Sequence, residues 1–164
     1  MTGLLNFSEF NRALKLHYQA YQEAGGHAYS VFEYDLDWFK HVNDTYGHPA
    51  GNLVLRRLGH EIAAHAHSLA YPTAVYRLGG EEFAVIVEGS LTAAEAKRLT
   101  QNFQEQLRQV SFAEIDPQLR VTCSIGQARV ADEDYSDNDV YKRADRNLYH
   151  AKQAGRNLVT VQAD

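Results

Sequence analysis

The run Arg77-Leu78-Gly79-Gly80-Glu81-Glu82-Phe83 decides the fold, because it sets two glycines and two carboxylates between two short apolar segments. The flanking residues 74–78 and 83–87 have the composition of β-strands, so the sequence predicts a β-hairpin that turns at Gly79 and Gly80. Glycine at a turn adopts positive φ and lets a ligand approach the backbone. Adjacent carboxylates repel each other unless a cation lies between them. This turn therefore predicts a phosphate and metal site.

The composition indicates one globular domain. The chain has 164 residues, 45% of them hydrophobic, and no long Gly/Ser or charged tract, which suffices for one continuous core. Its longest apolar runs are far too short to span a membrane, and its first residues lack the basic and apolar regions of a signal peptide. We therefore expect residues 1–164 to form a single cytoplasmic domain with no direct membrane insertion.

Charge and metal-binding residue types exclude several functions. A net charge of −5 argues against a nucleic-acid surface, which normally needs a basic face. Cys123 is the only cysteine, so no internal disulfide is expected, and its apolar surroundings predict a buried thiol. The eight histidines are scattered, and His65 and His67 fall on different faces of a helix. This spacing favours solvated surface histidines over a zinc site.

Helical and strand patterns alternate along the chain. Thr92 with Glu95 three residues later predicts a capping box at the start of one helix. Helices interleaved with strands that include a hairpin indicate an α/β (α+β) sandwich, with a mixed, largely antiparallel sheet flanked by helices. The spacing predicts helices over 2–25, 38–46, 50–66, 91–110 and 139–153, a turn at 47–49, and further strands over 29–36, 120–130 and 158–161.

Asp35 and Asp37 lie at the end of the first apolar strand, on one face if the strand extends that far. Asp37 directly precedes a predicted helix, so a role as its N-cap is favoured over metal binding. Asp35 has no such role, and a carboxylate at the end of an apolar strand needs a cation or hydrogen-bond donors. Asp35 is therefore the first predicted metal ligand. An EF-hand interpretation fails because Lys40 stands where the loop needs glycine.

Two groups of residues predict phosphate contacts. The backbone N–H groups of Trp38, Phe39 and Lys40 begin a helix and form a natural anion site. Lys152 and Arg156 are four residues apart and share a face if the last helix continues that far. Two interpretations of this pair stay open: a solvated basic end that complements the helix dipole, or a clamp on phosphate.

Together these motifs resemble the GGDEF domain, the diguanylate cyclase family of bacterial second-messenger signalling. The resemblance covers nearly the whole chain and rests on six motifs in the order and spacing of the family. They are Thr2-Gly3-Leu4-x-Asn6, Asp35-x-Asp37-x-Phe39-Lys40-x-x-Asn43-Asp44, Gly47-His48-x-x-Gly51, Arg77-x-Gly79-Gly80-Glu81-Glu82-Phe83, Ser124-Ile125-Gly126 and Ala144-Asp145-x-x-Leu148-Tyr149-x-Ala151-Lys152-x-x-Gly155-Arg156-Asn157.

The resemblance implies a nucleotide-cyclase-like fold that acts as a homodimer. Two GTP-loaded domains would face each other, each supplying a 3′-hydroxyl to the other's α-phosphate, to give cyclic di-GMP and pyrophosphate. Carried over to this sequence, the resemblance implies two Mg²⁺ (or Mn²⁺) ions per site, held by Asp35, the carbonyl of Leu36 and Glu81. Glu82 would help to deprotonate or orient the attacking hydroxyl. The β- and γ-phosphates would be bound by Trp38, Phe39, Lys40, Lys152 and Arg156, and guanine by Asn43.

The main departure from the family pattern is Asn52, which stands where an aspartate usually follows Gly51. An aspartate accepts two hydrogen bonds from guanine, whereas an amide offers one acceptor and one donor and suits an adenine edge. The change should cost about 1–3 kcal/mol of guanine recognition. We therefore hypothesise a weakened GTP preference, and acceptance of ATP to give a mixed or adenine-containing cyclic dinucleotide.

A second departure concerns product feedback. Many family members carry an Arg-x-x-Asp product-binding site that starts nine residues before the first signature glycine. Here that window reads Ala70-Tyr71-Pro72-Thr73, and no arginine occurs between Arg57 and Arg77. Without a guanidinium to stack on and clamp the product guanines, we expect no inhibitory product site.

Three functional interpretations stay open: an active GTP-dependent cyclase, a degenerate GGDEF domain that binds nucleotide or protein, and a cyclase with altered base specificity. The complete set of metal and phosphate residues favours the active enzyme. The family reaction needs two copies brought face to face, and Met1 stands where the family usually has leucine at the start of the opening motif. We therefore expect a sensor or dimerisation region in cis and low activity from the domain alone.

Overall fold

The computed structural model describes residues 3–164. Met1 lies outside them, as does Thr2, with which the opening motif and the first predicted helical region begin. Within the described residues no helix combines the length and the apolar character that a membrane span needs. The elements are α1 Phe7–Gln22, β1 Tyr29–Leu36, α2 Phe39–Tyr46, α3 His48–Ser68, β2 Thr73–Gly79, β3 Glu82–Glu88, α4 Ala93–Arg108, β4 Cys123–Arg129, α5 Asn138–Gln153 and β5 Val159–Thr160.

The five strands form one sheet in the order β2-β3-β1-β4-β5. β4 and β5 pair in parallel and all other neighbours pair antiparallel, which confirms the mixed, largely antiparallel sheet predicted from the sequence. β1 is the central strand and is buried along its whole length. Its acidic C-terminal end therefore lies between the β2–β3 hairpin and β4.

Helices cover both faces of the sheet. Side chains of α1 and α5, such as Phe10 and Ala144, pack on the face formed by Val31 and its neighbours. Side chains of α3 and α4, such as Leu58 and Phe103, pack on the opposite face. The alternation of buried residues along β1 divides the core between these two layers.

The local signals in the sequence define most helix boundaries. Asn6 caps α1 by accepting a hydrogen bond from the Glu9 N–H at 2.8 Å. The predicted capping box of Thr92 and Glu95 is present at the start of α4. The predicted turn at 47–49 is wrong in extent, because α3 begins at His48 and Pro49 lies in its first turn, where proline is favoured.

The fourth strand is shorter than the predicted 120–130. Residues 120–122 lie outside β4, which begins at Cys123. The Asp37 N–H donates to the Thr122 carbonyl at 2.9 Å, and the Thr122 hydroxyl bonds the Asp37 carboxylate. Thr122 is thus engaged with the end of β1, just before the regular ladder of β4 begins.

The predicted buried thiol is confirmed, since Cys123 is free and buried. The histidine prediction is only partly right. His67 is exposed, but His65 is half-buried, with its ring 5.3 Å from that of Phe103. Burial lowers the pKa of His65. His65 is thus a packing residue beneath α4.

Gly126 sets the distance between α5 and the sheet. A Cβ built at this position would collide with the backbone of Ala144 and Leu148 on α5. The missing side chain lets the helix approach β4 directly, and Ala144, Leu148 and Ala151 are buried in that interface. This approach carries the C-terminal end of α5 to the acidic end of β1.

Gly126→Ala should therefore destabilise the domain by about 3 kcal/mol, because the added Cβ must push α5 away from β4. The free energy of unfolding in urea, followed by circular dichroism, measures the loss. Gly25→Ala is the matched control, since its added Cβ would meet nothing within 4 Å and its φ of +85° makes only the backbone unfavourable, at roughly 1 kcal/mol. Equal losses in the two variants would contradict this account of the packing.

Candidate active site

The end of β1 and the β2–β3 turn bring the predicted acidic residues together. Asp35 is the register partner of Glu82 across β1 and β3. The Leu36 N–H donates to the Glu81 carbonyl at 3.2 Å. The end of the central strand β1 therefore brings together the predicted metal ligands and the predicted base. They are Asp35, Leu36, Glu81 and Glu82.

The glycine turn has the geometry predicted from the sequence. Gly79 and Gly80 have φ of 140° and 51°, and the ladder shifts register between Arg77 and Gly79. The Arg77 Nη2 donates to the Gly80 carbonyl at 2.8 Å. This hydrogen bond spans the turn and holds the backbone that presents Glu81.

Burial and mutual repulsion disfavour the charged forms of the acidic residues. Asp35 is 2% exposed, and burial raises its pKa to about 6; Lys152 opposes this shift, while Glu81 and Glu82 add to it. Burial also raises the pKa of Glu82, again opposed by Lys152. The Lys152 Nζ makes an ion pair and hydrogen bond with Asp35 Oδ2. Asp35, Glu81 and Glu82 together carry more negative charge than this one ammonium balances.

These residues fit a divalent cation whose remaining coordination positions are filled by a substrate and water. Within residues 3–164 no group of three or more His, Cys, Asp or Glu side chains is arranged to hold a metal alone. Asp35 and Glu81 supply two carboxylates, and Leu36 can add a backbone carbonyl. Mg²⁺ prefers such oxygen donors in small number, with waters and phosphate oxygens filling its other positions. The unbalanced negative charge at the strand end favours the same ion.

Asp37 does not cap the following helix, so that prediction is wrong. The N-cap of α2 is Trp38, with a left-handed φ of 59° and no side-chain cap. The Asp37 carboxylate, 4% exposed, instead accepts hydrogen bonds from the hydroxyls of Thr122 and Ser124, both at 2.7 Å. It also accepts one from the Asn157 N–H at 2.9 Å. These donors come from distant parts of the chain and satisfy the carboxylate better than the local helix start.

The start of α2 lies beside this strand end, as the sequence predicts. α2 begins at Phe39, so the N–H groups of its first turn, including that of Lys40, have no acceptor within the helix. Trp38 is 62% exposed. Lys40 is exposed and pairs with Asp44 at 2.8 Å, a contact of little energetic weight. This turn thus offers backbone donors to an anion.

Lys152 and Arg156 reach the site by separate routes, so the predicted shared helical face is wrong. α5 ends at Gln153, and Arg156 has a left-handed φ of 64°. The Arg156 guanidinium lies 4.3 Å from the centre of the Trp38 ring, whereas Lys152 pairs with Asp35. Neither residue is the simple solvated helix end that the sequence also allowed.

Asn43 and Asn52 lie at the junction of α2 and α3. A Cβ at Gly51 would collide with the Asn43 side chain, so the glycine makes room for that amide. The buried Asn43 Oδ1 has no hydrogen-bond partner within residues 3–164. Asn52 follows Gly51 on α3 and is exposed. Each amide carries one hydrogen-bond acceptor and one donor group.

Glu33 is a site residue that the sequence analysis missed. It lies two residues before Asp35 on the same face of β1 and is fully buried, and its protonated form can donate a hydrogen bond to the Asp145 carboxylate. Burial raises the pKa of Glu33 to about 9, and the negative charges of Asp145, Glu82 and Asp35 add to the shift. The available signal was an acidic residue inside the apolar segment 29–36.

Comparison with known proteins identifies the family. Residues 1–158 match the family described as "Diguanylate cyclase, GGDEF domain". The chain is 36% identical over 141 residues to the response regulator PleD of Caulobacter vibrioides, covering 85% of this chain and 30% of PleD. It is 35% identical over 159 residues to the diguanylate cyclase DgcS of Shewanella oneidensis, covering 96% of this chain and 50% of DgcS.

A solved structure agrees with these matches. The GGDEF domain of DgcB from Caulobacter crescentus, in complex with c-di-GMP, matches with a TM-score of 0.86 and 30% identity, covering 98% of this chain and 92% of that one. The chain therefore belongs to the GGDEF domain family of diguanylate cyclases. It spans 30% of the length of PleD and 50% of the length of DgcS.

Glu33 should make the stability of the domain depend on pH. Its pKa in the folded state, about 9, lies above its ordinary value of 4.5, so the folded state holds a proton that the unfolded state loses. The contribution of Glu33 to stability therefore falls as pH rises from about 4.5 through 9. Glu33→Gln should stabilise the domain by at least about 1 kcal/mol at pH 8 and much less at pH 5.

Urea unfolding of the wild type and Glu33→Gln at several pH values between 5 and 8.5 measures this difference. Glu133→Gln, a substitution of an exposed glutamate, is the control and should leave the pH dependence unchanged. Parallel stability curves for the wild type and Glu33→Gln would show that the buried carboxyl carries no such linkage.

Proposed function

We propose that this domain condenses two molecules of GTP into cyclic di-GMP with release of pyrophosphate. The observation that supports this most strongly is the meeting of Asp35, Glu81 and Glu82 with Lys152 at the end of β1, in a chain of the GGDEF family. Carboxylates that can share a divalent cation, next to a basic side chain, are what phosphoryl transfer requires.

The residues of this chain have distinct tasks in the proposed reaction. Asp35, the Leu36 carbonyl and Glu81 would hold Mg²⁺ or Mn²⁺, two ions per site, which when bound polarise the α-phosphate and increase the acidity of the attacking hydroxyl. Glu82 would accept the proton of that hydroxyl. Its raised pKa makes Glu82 a stronger base than an exposed glutamate.

The triphosphate would lie between α2 and the end of α5. The N–H groups at Trp38, Phe39 and Lys40, at the start of α2, would donate hydrogen bonds to it. Lys152 would contribute a point charge and Arg156 a planar fork to the β- and γ-phosphates. The pyrophosphate that leaves would be held by the same groups, which lowers the energy of the departing negative charge.

Two copies of the domain are needed for a complete reaction. Each proposed site holds one GTP, and the 3′-hydroxyl that attacks it comes from the GTP in the other copy. The domain would therefore act as a homodimer, brought together by a sensor or dimerisation region in cis. The two curated relatives named above are each at least twice as long as the stretch they share with this chain.

Asn52 supports a second candidate function within the same chemistry. Asn43 would contact the base from α2, and Asn52, one residue after Gly51, supplies an amide where an aspartate would be a double acceptor. We propose that guanine is held more weakly than an aspartate would hold it, and that ATP is accepted to give a mixed or adenine-containing product.

The proposed activity is tested by turnover at high protein concentration with Mg²⁺ and GTP, with products identified by mass. We expect cyclic di-GMP and pyrophosphate from the wild type, and a rate at least about a hundredfold lower for Glu82→Ala, because the proton acceptor is lost. Glu88→Ala changes an exposed glutamate at the other end of the same strand and is the control.

If the domain alone is inactive, a fusion to a constitutive dimerisation segment distinguishes an active domain that lacks its dimerisation region from a degenerate one. Product from the fused form would support the proposal and show that dimerisation limits the rate. Nucleotide binding without pyrophosphate release from the fused form would favour the degenerate, binding-only alternative.

The base-specificity proposal is tested by Asn52→Asp. The substitution should raise kcat/KM for GTP by about tenfold or more, since it restores a double acceptor worth about 1–3 kcal/mol, and should reduce any use of ATP. Initial rates with GTP, ATP and their mixture measure both effects. Asn102→Asp adds the same charge at an exposed position of α4 and is the control. Equal turnover of GTP by the wild type and Asn52→Asp, with no ATP use by either, would contradict the base-specificity proposal.

A further inference from the structure

Lys152 occupies the position of a counter-ion at the proposed metal site. Its Nζ contacts Asp35 Oδ2, and the Asp35 side chain is almost fully buried. A buried carboxylate requires a cation or several hydrogen-bond donors. Within residues 3–164, Lys152 is the only basic side chain ion-paired with the group formed by Asp35, Glu81 and Glu82.

The second phosphate-binding cation is also engaged within the chain. The Arg156 guanidinium stacks on the exposed ring of Trp38 at 4.3 Å. Both residues have left-handed φ although neither is glycine, a backbone conformation that is unfavourable for residues with a Cβ. In this state the charge of each side chain already has a partner in the protein, Asp35 for Lys152 and the Trp38 ring for Arg156.

We propose that Lys152 is an exchangeable internal counter-ion. Its side chain neutralises Asp35 until a divalent metal binds, and then moves so that its ammonium pairs with the nucleotide phosphates. The proposal rests on the proposed function, because it uses Asp35 as a metal ligand and Lys152 as a phosphate ligand. It adds a specific coupling between the two binding events, which neither assignment alone requires.

Metal binding and nucleotide binding are coupled because each of them separates Asp35 from Lys152. A metal that binds without nucleotide must displace Lys152 from a buried carboxylate and leave the ammonium without an anion. A nucleotide that binds without metal must draw Lys152 away and leave Asp35 buried and unpaired. When both bind, each charge keeps a partner, so metal and nucleotide each increase the affinity of the other by the same factor.

Two titrations that do not depend on turnover test the exchange. The first measures Mn²⁺ binding to the nucleotide-free domain by electron paramagnetic resonance. Lys152→Met should bind Mn²⁺ at least about tenfold more tightly than the wild type, because no ammonium has to be displaced. If Lys152→Met does not fold, Lys152→Gln replaces it in this titration, because the glutamine retains a hydrogen-bond donor for Asp35. Lys142→Met, an exposed lysine of α5, is the control.

The second titration measures the binding of GTP in EDTA, so that no metal contributes. Asp35→Asn should tighten metal-free GTP binding, because it releases Lys152 for the phosphates. The same substitution in a Lys152→Met background should have little effect, since no ammonium is left to release. This double-mutant cycle separates the exchange from a general change of charge, which would act equally in both backgrounds.

An Asp35→Asn effect of equal size with and without Lys152 would overturn the proposal, as would equal Mn²⁺ affinities of the wild type and both Lys152 variants. Turnover of GTP by the wild type is measured in parallel. A wild type that makes cyclic dinucleotide but shows either of these results would refute the exchange and leave the proposed function intact.

Discussion

The arrangement of the site depends on the buried carboxylate of Asp37. Its three hydrogen bonds join the end of β1 to Thr122 and Ser124 near the start of β4, and to the Asn157 N–H in the loop after α5. Charged acceptors with several donors form strong hydrogen bonds, and removing any partner leaves a buried charge unsatisfied. Because hydrogen bonds within the protein satisfy the Asp37 carboxylate, Asp35 is the strand-end acid that pairs with a cation, which is Lys152 in this structure.

The helix α5 contributes to the site through a steric requirement at a distance from it. Gly126 has no side chain, so the helix lies directly on β4 and its last turn reaches Asp35. The packing at Gly126 therefore also positions Lys152, since displacement of α5 from the sheet would move the lysine away from Asp35. The chain after the helix turns back through left-handed residues to bring Arg156 over Trp38.

Local signals in the sequence predicted most of the fold and much of the site. The glycine turn, the strand end at Asp35 and the capping box at Thr92 are set by interactions within a few residues, so their patterns were sufficient. The role of Asp37 was missed because its donors lie more than eighty positions away in the chain. The shared face of Lys152 and Arg156 was wrong because α5 ends at Gln153. Glu33 was overlooked because its complete burial and its approach to Asp145 on α5 are set by the tertiary packing and not by its neighbours in the sequence.

The proposed exchange requires that a metal bind at the end of β1 while the Lys152 ammonium binds the nucleotide phosphates. The most direct measurement is a crystal structure of the domain with Mg²⁺ and a non-hydrolysable GTP analogue. We predict metal density in contact with Asp35 and Glu81, with the Lys152 ammonium on a phosphate oxygen. Metal bound elsewhere, or Lys152 still paired with Asp35 beside a bound nucleotide, would contradict the account.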